Sequence, residues 1–435
     1  MNRGDKIDLS ITSLALGGEG IARHDGMVLF VPRALPGDQI RASIVRPKKR
    51  YASGRIDSII EPSQHRVEPD CKWFDAGCGG CQWLHFSYEE QLRWKKQLLK
   101  DALGRIGRFE TNALPIEEII PAEKPRGCRS KYSATLTIDG DLGLCIENSK
   151  TVLPIDACPM ESPACNRALG AFRDIIEGPR GSQIRSIVKQ VHLRASEDDE
   201  RVSLCFFAET NHAVLETCAR ELVELGAISA AGVSLKRGFN HLAGDRSLSV
   251  RCGKIEYEVP TDVFFQTNYS AAETLLRLIC DGIELPRGAK ILDLYSGVGF
   301  FSLDLALEGY RVTGVEGHPA GVAAAKRTAR KTRIKSSFLR QRVEPDLFGS
   351  ASALASHYDA VVLDPPRSGC GTEISNRICD LEPEVIAYVS CAPDTLARDL
   401  RAMVDRGYEI SRCTPLDMFP QTYHVESVTI LKRQD

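Results

Sequence analysis

The chain has 435 residues, so two to four domains are expected at about 100–200 residues per domain. Its formal net charge of −2, with 43% hydrophobic and 26% charged residues, argues against an attraction to nucleic acid spread over the whole surface and allows only local basic patches. No uncharged apolar run reaches about 18 residues, and the start of the chain lacks a signal-peptide core, so we expect a cytoplasmic protein without a membrane span.

Residues 1–60 predict a small β-barrel of the OB-like type. Turn sequences at 17–20 (GGEG) and 35–38 (LPGD) flank the apolar run 27–31. Several short strands at such close spacing are typical of a small barrel. The basic loop 46–50 (RPKKR) would either grip phosphates or form a solvated turn.

Residues 61–260 predict a central α+β domain that carries a cysteine-containing loop. A helix is expected after Ser87, which forms a capping-box pattern with Glu90. Strands are expected over 128–155, and a hairpin over 184–209.

Residues 261–435 predict an α/β domain with a Rossmann-like, doubly wound parallel sheet. Apolar strands alternate with helices, which is the pattern of a sheet covered on both faces. The predicted strands are 290–294, 311–315, 358–363 and 385–390.

A nucleotide-type site is predicted where the first two of these strands end. The segment 293–299 (DLYSGVG) brings glycines that allow close approach of a ligand, and Glu316 can accept the ribose hydroxyls of an adenosyl group. Ser302 stands where a dinucleotide-binding fingerprint has its third glycine, so S-adenosylmethionine fits better than NAD. The alternative is a plain strand-to-helix turn.

Asp364-Pro-Pro-Arg367 ends the next strand, and the two prolines make a rigid exit. Methyltransferases that act on amino groups often have an aromatic residue after the prolines, and cytosine-5 methyltransferases often place a cysteine there. Arg367 stands at this position and Cys370 lies four residues beyond Pro366, so both chemistries are disfavoured.

Cys391 is a candidate nucleophile, because it ends a strand just before a helix whose amino terminus would lower the pKa of the thiol. A thiolate that adds to carbon 6 of uracil activates carbon 5 toward an electrophilic methyl group. A base must then remove the proton from carbon 5. Glu426 is the candidate base, with His424 as an alternative base or an orienting group. A buried core cysteine is the other interpretation of Cys391.

Three motifs together resemble the RNA uracil-5 methyltransferases of the RumA/TrmA kind: Asp364-Pro-Pro-Arg-Ser-Gly369, Ser390-Cys391, and Phe419-Pro-x-Thr-x-His-Val-Glu426. Phe264-Phe-Gln-Thr-Asn268 and Asp293-Leu-Tyr-Ser-Gly297 match as well. The resemblance implies Cys391 as nucleophile and Glu426 as proton acceptor. It implies that S-adenosylmethionine is contacted by Gln266, Tyr295, Glu316 and Asp364.

The resemblance also identifies the amino-terminal barrel as similar to a TRAM domain, an RNA-binding module in this family. Three positions depart from the usual family pattern: Ala392 and Phe300 stand where asparagine is usual or frequent, and Ser296 replaces a frequent cysteine. None of the three removes a reacting group.

Cys71-x6-Cys78-Gly-Gly-Cys81 is a cluster that predicts a metal site, with Cys158 in Ile155-Asp-Ala-Cys-Pro159 as the best fourth ligand. From the residues alone, an iron–sulfur cluster, a zinc ion and unliganded thiols all stay open. The resemblance implies a [4Fe-4S] cluster on Cys71, Cys78, Cys81 and Cys158, although the first gap in the family is usually one residue shorter. A radical mechanism is disfavoured because the Cys-x3-Cys-x2-Cys spacing is missing.

We therefore expect methylation of carbon 5 of a uridine in RNA by a monomeric enzyme. By family analogy, 23S ribosomal RNA is favoured over transfer RNA, because the TRAM-like domain and the cysteine cluster occur together. A transfer-RNA uracil-5 methyltransferase would share every catalytic residue, whereas a non-catalytic iron–sulfur RNA-binding protein would not need Cys391 and Glu426 together. A second basic run, 327–335, is either a further RNA contact or a solvated helix face.

Overall fold

The computed structural model describes residues 1–349, 354 and 357–434. Among these residues, no helix is both long enough and apolar enough to cross a membrane.

The first 61 residues form a six-stranded sheet in the order β1-β5-β6-β4-β3-β2. Only β4 and β6 pair in parallel. Alternate residues of β5 point inward, which packs Ile40 and Ile44 against Leu29 and Val31 in a small core. The strands are β1 (Lys6–Ser10), β2 (Ser13–Leu14), β3 (Gly20–His24), β4 (Met27–Val31), β5 (Gln39–Pro47) and β6 (Tyr51–Glu61).

Two helices follow the barrel: α1 (Lys72–Asp75) and α2 (Tyr88–Arg105). Ser87 stands at the amino-terminal cap of α2, but its side chain makes no capping hydrogen bond. Glu90 instead pairs with Arg93 one turn along the helix, so the predicted capping box does not form. The apolar stripe of α2 is buried as its spacing predicts, with Leu99 and Leu103 fully covered.

The central region is a seven-stranded sheet in the order β13-β12-β11-β10-β7-β8-β9, and three helices contribute to its hydrophobic core. Its elements are β7 (Lys131–Leu136), β8 (Leu142–Cys145), β9 (Val152–Pro154), α3 (Pro163–Glu177), α4 (Gly181–Ile187), β10 (Val188–Ala195), β11 (Val202–Ala208), α5 (Ala213–Glu224), β12 (Ala230–Leu235) and β13 (Gly238–Gly244).

The last region contains a second seven-stranded sheet, with a hairpin and a helix before it. Its elements are β14 (Ser247–Cys252), β15 (Ile255–Pro260), α6 (Tyr269–Gly282), β16 (Lys290–Leu294), α7 (Phe300–Leu307), β17 (Arg311–Glu316), α8 (Pro319–Thr332), β18 (Ser337–Arg340), a 3-10 turn (Pro345–Phe348), β19 (Ala360–Leu363), α9 (Thr372–Asp380), β20 (Val385–Ser390), α10 (Pro393–Val404), β21 (Tyr408–Leu416) and β22 (Glu426–Arg433).

The strand order is β18-β17-β16-β19-β20-β22-β21, and β22 alone runs antiparallel to both of its neighbours. Alternate residues of the strands enter two different cores: Ile291 and Val362 belong to one, Leu292 and Val361 to the other. Hydrophobic cores on both faces confirm the predicted doubly wound sheet.

Two elements within the range 61–260 pack on this last sheet rather than on the central one. Leu99 and Leu103 of α2 join the core that contains Leu292, and the β14–β15 hairpin joins the core that contains Ile291. The hydrophobic cores therefore do not divide at residue 260, because α2 and the hairpin supply apolar faces that cover the last sheet.

A fully buried ion pair connects α2 to the segment between β21 and β22. Lys95 Nζ lies 2.5 Å from Asp417 Oδ1 and donates a second hydrogen bond to the carbonyl of Phe419 at 2.9 Å. The Tyr88 hydroxyl donates to the other Asp417 oxygen at 2.9 Å. Burial lowers the pKa of Lys95, and the adjacent Asp417 carboxylate opposes that shift.

Replacing Lys95 by Ala should destabilise the protein by about 3–5 kcal/mol, because the change leaves a buried carboxylate without its counter-charge. Urea unfolding at neutral pH measures the loss. Arg93→Ala on the same helix is the matched control, since its exposed guanidinium pairs with Glu90 and lies over the Trp94 ring, and its loss should cost about 0–1 kcal/mol. Equal stability of the two variants would contradict a structural role for the buried pair.

Candidate active site

The catalytic and cofactor-contacting positions predicted from the sequence lie at one edge of the last sheet, where its strands end or begin. Gln266 is the exception. Asp293, Glu316, Asp364 and Cys391 lie at or just beyond the carboxyl ends of β16, β17, β19 and β20. In an open α/β sheet, this edge is where ligands bind. Glu426 is the first residue of β22, which starts at the same edge because it is antiparallel.

The turn after β16 has the tight backbone that the glycine-containing segment predicts. Tyr295, Gly297 and Gly299 have φ values of 64°, 55° and 84°. The Glu316 carboxylate accepts the backbone N–H of Gly297 at 3.0 Å and that of His318 at 2.5 Å. These two hydrogen bonds hold the carboxylate beside the turn.

Asp293 is fully buried at the foot of the same turn. One carboxyl oxygen accepts the Ser302 hydroxyl at 2.5 Å, while the other finds no partner among the described residues. Burial raises the pKa of Asp293 to about 7. Ser302, which replaces the third glycine of a dinucleotide fingerprint, therefore serves to position Asp293.

Gln266 joins the site through Asp364. Its side-chain amide donates to the Asp364 carboxylate at 3.2 Å, and burial raises the pKa of that carboxyl to about 7. Phe264, two residues earlier, is 62% exposed, which is unusual for a phenylalanine. An exposed aromatic ring beside a polar site is the kind of surface on which a nucleobase stacks.

Cys391 and Glu426 lie at the same end of two neighbouring strands. Ser390 and Ser427 form the last register pair of β20 and β22; Cys391 directly follows Ser390, and Glu426 directly precedes Ser427. The Glu426 carboxyl is near enough to raise the pKa of the Cys391 thiol. The antiparallel register thus brings the predicted nucleophile and the predicted base to one place.

The helix α10 does not lower the pKa of Cys391 as its position predicts. Burial raises the pKa of the thiol to about 12, and the nearby Glu426 and Asp364 carboxyls raise it further. Arg367 is the cation that opposes this shift. At the cap of α10, Ala392 offers no side-chain acceptor, and its backbone N–H bonds to Ser390 Oγ at 3.2 Å instead.

Burial also raises the pKa of Glu426 well above its ordinary value, with a further increase from Asp364 and an opposing effect of Arg367. The Arg367 guanidinium therefore lowers the pKa of both Cys391 and Glu426. His424 is held neutral, because burial and then Arg367 lower its pKa to about 4. Its Nε2 atom lies 3.4 Å from Arg367 Nη2, a geometry that suits an orienting group.

The Cys391 thiol opens into a cleft of about 360 Å³ between the barrel and the last sheet. The barrel contributes Leu16 and Gly17, and a Cβ atom on Gly18 would lie 2.6 Å from the Tyr423 ring. A second groove of about 630 Å³ shares Gly17 and Tyr423 with this cleft. The cleft is lined by Leu16, Gly17, Leu98, Arg367, Cys391, Ala392, Pro393, Asp394, Tyr423, His424 and Val425.

Cys370, the other cysteine near the proline motif, has a different environment. Its sulfur lies 3.3 Å from Ser375 Oγ and 3.5 Å from Asp399 Oδ2, and burial raises the pKa of its thiol to about 12. Because Ser375 lies on α9 and Asp399 on α10, the Cys370 thiol is held between these two helices.

The four cysteines of the predicted metal site line one cavity of about 20 Å³. The loop after α1 supplies Cys78 and Cys81, and contacts such as the hydrogen bond from Trp73 Nε1 to the carbonyl of Ala157, at 3.1 Å, bring Cys158 beside them. Arg129 is buried here, with a guanidinium nitrogen 4.0 Å from the Cys81 sulfur. Across the described ranges, no group of three or more His, Cys, Asp or Glu is arranged to hold a single metal ion.

Sequence reasoning missed the part played by Arg367 and by Arg129. Arg367 was noted only for the chemistry it disfavours, although its place directly after two prolines at a strand end already aimed it into the site. Arg129 lies far in sequence from the cysteine loop, and only the fold brings it there.

Two family descriptions match the chain. Residues 2–56 match the TRAM domain, and residues 233–434 match the tRNA (Uracil-5-)-methyltransferase family. An uncharacterized RNA methyltransferase of Gloeobacter violaceus is 34% identical, covering 99% of this chain and 97% of the relative. One from Synechocystis is 33% identical, with 99% and 96% covered.

Among solved structures, the chain is similar to the tRNA (uracil-54, C5)-methyltransferase of Pyrococcus abyssi in complex with S-adenosyl-L-homocysteine. The TM-score is 0.76 at 27% identity, and the match covers 98% of this chain and 100% of the other. This chain, with its amino-terminal TRAM domain, therefore belongs to the family of S-adenosylmethionine-dependent RNA (uracil-5-)-methyltransferases.

Proposed function

We propose that the protein methylates carbon 5 of a uridine in RNA, with Cys391 as nucleophile and Glu426 as the base. The observation that carries this proposal is the register of β20 and β22, whose last pair, Ser390 and Ser427, adjoins Cys391 and Glu426 at the ligand-binding edge of the sheet. Their cleft of about 360 Å³ lies against the TRAM domain, which is where an RNA strand would enter.

The chemistry follows from the two side chains. The Cys391 thiolate adds to carbon 6, and the electron density that this addition creates at carbon 5 would attack the methyl group that S-adenosylmethionine supplies, with the sulfur–methyl bond breaking and S-adenosylhomocysteine as the leaving group. Glu426 then takes the proton from carbon 5, the carbon 5–carbon 6 double bond forms again, and the thiolate leaves. Methylated RNA and free Cys391 result.

Arg367 favours the ionised form of both the nucleophile Cys391 and the base Glu426. Burial and the Glu426 and Asp364 carboxyls raise the pKa of the Cys391 thiol, and the Arg367 guanidinium lowers it. The same guanidinium favours the ionised form of Glu426, which the base needs. His424, held neutral, keeps Arg367 oriented between them.

S-adenosylmethionine supplies an electrophilic methyl group when it is bound. Its ribose hydroxyls suit the Glu316 carboxylate, which the backbone N–H groups of Gly297 and His318 already orient. Gln266 and Asp364 form one hydrogen-bonded unit that can meet the cationic end of the cofactor, and Tyr295 follows Asp293 in the tight turn.

The substrate RNA has two candidate sources. Ribosomal RNA is our first choice, because the TRAM domain and the cysteine cluster occur together in this sequence. Transfer RNA is the second, because the similar Pyrococcus abyssi enzyme acts on uracil 54 of tRNA. Nucleoside mass spectrometry of separated ribosomal and transfer RNA from a deletion strain would show which pool loses 5-methyluridine.

We further propose that Cys71, Cys78, Cys81 and Cys158 hold a [4Fe-4S] cluster. Four thiols around one cavity form the donor set that such a cluster needs, and the Arg129 guanidinium beside Cys81 suits thiolate ligands. A zinc ion on the same four thiolates is the alternative, since a tetrahedral all-cysteine site suits it equally well.

The Glu316→Ala variant should bind S-adenosylmethionine more weakly by about 1.5–3 kcal/mol, because hydrogen bonds to a charged acceptor are lost. Isothermal titration with S-adenosylhomocysteine measures the change. RNA affinity should stay the same in this variant. Unchanged cofactor affinity would mean that the ribose lies elsewhere.

The Glu426→Gln variant should accumulate a covalent, methylated RNA adduct, because proton removal stalls after the thiolate has added. The adduct appears as a slow band on a denaturing gel, and nuclease digestion followed by mass spectrometry identifies the methyl group. Cys391→Ala should give neither adduct nor product while it still binds cofactor, and the double variant should behave in the same way. An adduct formed by Cys391→Ala, or full turnover by Glu426→Gln, would refute the assigned roles.

Protein purified without oxygen should be brown and contain about four irons per chain. Cys78→Ser or Cys81→Ser should lose the colour and lower the unfolding temperature, because metal binding to such a loop is coupled to its folding. Cys165→Ser is the control, since Cys165 is buried in the central core and donates to the carbonyl of Ser130. A colourless wild type with one zinc per chain would contradict the cluster.

A further inference from the structure

A groove of about 950 Å³ lies at the edge of the last sheet that is opposite to Cys391. It is formed by the first residue of β16 and by the turns that lead into β17 and β18. Because β16 has five residues, this edge is roughly 16 Å from the catalytic edge. The groove is therefore separate from the site proposed for the reaction.

Four exposed basic side chains line this groove: Lys290, Arg311, Arg333 and Lys335. None of them forms an ion pair with any carboxylate that the structure describes. Asp359 lies close by, but its two oxygens accept the backbone N–H of Lys290 at 2.6 Å and face the His357 ring nitrogen at 3.0 Å. Within the described part of the protein, Arg311, Arg333 and Lys335 thus have no ion-pair partner, while the charge of Lys290 is offset in part by Asp359, whose pKa it helps to lower.

The basic run 327–335 divides into two parts with different surroundings. Arg327 and Lys331 lie against the β14–β15 hairpin, where they pair with Glu258 at 2.6 Å and Glu256 at 2.9 Å. Arg333 and Lys335, beyond the end of α8, turn to the groove. The first pair has a structural partner and the second pair does not.

A further feature suits an anion at this place. Lys290 and Arg311 are register partners on neighbouring strands, and like charges side by side repel each other. A phosphate group bound between the two side chains would offset this repulsion.

We propose that this groove binds the phosphate backbone of the RNA substrate at a segment remote from the reacting uridine. The charges come from three separate chain segments along an open groove, which fits a row of phosphates better than a single small anion. The proposal rests on RNA being the substrate. It adds a second RNA contact about one strand length from Cys391. Such a contact recognises phosphates and no bases, and it helps to hold a large RNA in place.

The test compares two double variants that each remove two positive charges from the same part of the chain. Arg333→Gln/Lys335→Gln removes two positive charges from the groove. Arg327→Gln/Lys331→Gln is the matched control, because these two side chains pair with Glu258 and Glu256. Binding to unmodified 23S ribosomal RNA and to unmodified transfer RNA is measured by filter retention between 50 and 300 mM salt. S-adenosylhomocysteine affinity and the unfolding temperature establish that both variants are folded.

For the RNA that is the better substrate, the groove variant should raise Kd about tenfold at 0.1 M salt and reduce the slope of log K against log salt by about 1.4–1.8, as expected for two lost phosphate contacts. The KM for RNA should rise while kcat stays unchanged. The control should resemble the wild type. Lys290→Gln/Arg311→Gln should repeat the result if the first variant is unstable.

Equal affinities and salt slopes for the groove variant and the control would overturn the proposal, and so would a groove variant that loses kcat at unchanged KM. A groove that serves a protein partner instead would leave RNA binding unaltered, which is the same negative outcome. If the wild type methylates no RNA in a Cys391-dependent way, the proposed function itself fails, and the RNA-binding comparison then reports on the groove alone.

Discussion

The buried pair of Lys95 and Asp417 is the interaction on which the rest of the active site depends. It fixes the segment between β21 and β22 to α2, and Gln91 continues the attachment by exchanging hydrogen bonds with Gln421. Because this segment leads directly into β22, its position decides where that strand starts. The register of β22 against β20 then brings Glu426 and Cys391 to one place. A helix that lies outside the reacting groups thus sets the geometry of the base.

The same segment connects the three parts of the molecule. The carbonyl of Gln421 accepts backbone hydrogen bonds from Gln82 and Trp83, which follow the cysteine loop, at 3.1 and 3.0 Å. The Trp83 indole donates to the carbonyl of Gly18 in the barrel at 3.0 Å. The TRAM domain, the cysteine loop and the last sheet are therefore joined through this one segment. This packing brings the small barrel beside Cys391, which lies 330 residues beyond the last barrel strand.

In the cleft, burial raises the pKa values of three acidic side chains, and the Arg367 cation opposes two of these shifts. Burial raises the pKa of the Cys391 thiol to about 12 and the pKa of Asp364 to about 7, and it raises that of Glu426 as well. In the empty site these groups favour their neutral forms, because neighbouring negative charges out of water are costly. Arg367 opposes the shifts of both Cys391 and Glu426.

The sequence by itself determined the family of the protein and its doubly wound sheet. Strands 290–294 and 385–390 match β16 and β20, because a buried strand and its flanking turn are local patterns of apolar residues and glycines. Only the tertiary structure decided that α2 packs on the last sheet, that Cys158 joins the cysteine loop, and that burial outweighs the helix terminus in setting the pKa of Cys391. These outcomes depend on which surfaces exclude water when distant segments meet, and no local pattern encodes that exclusion.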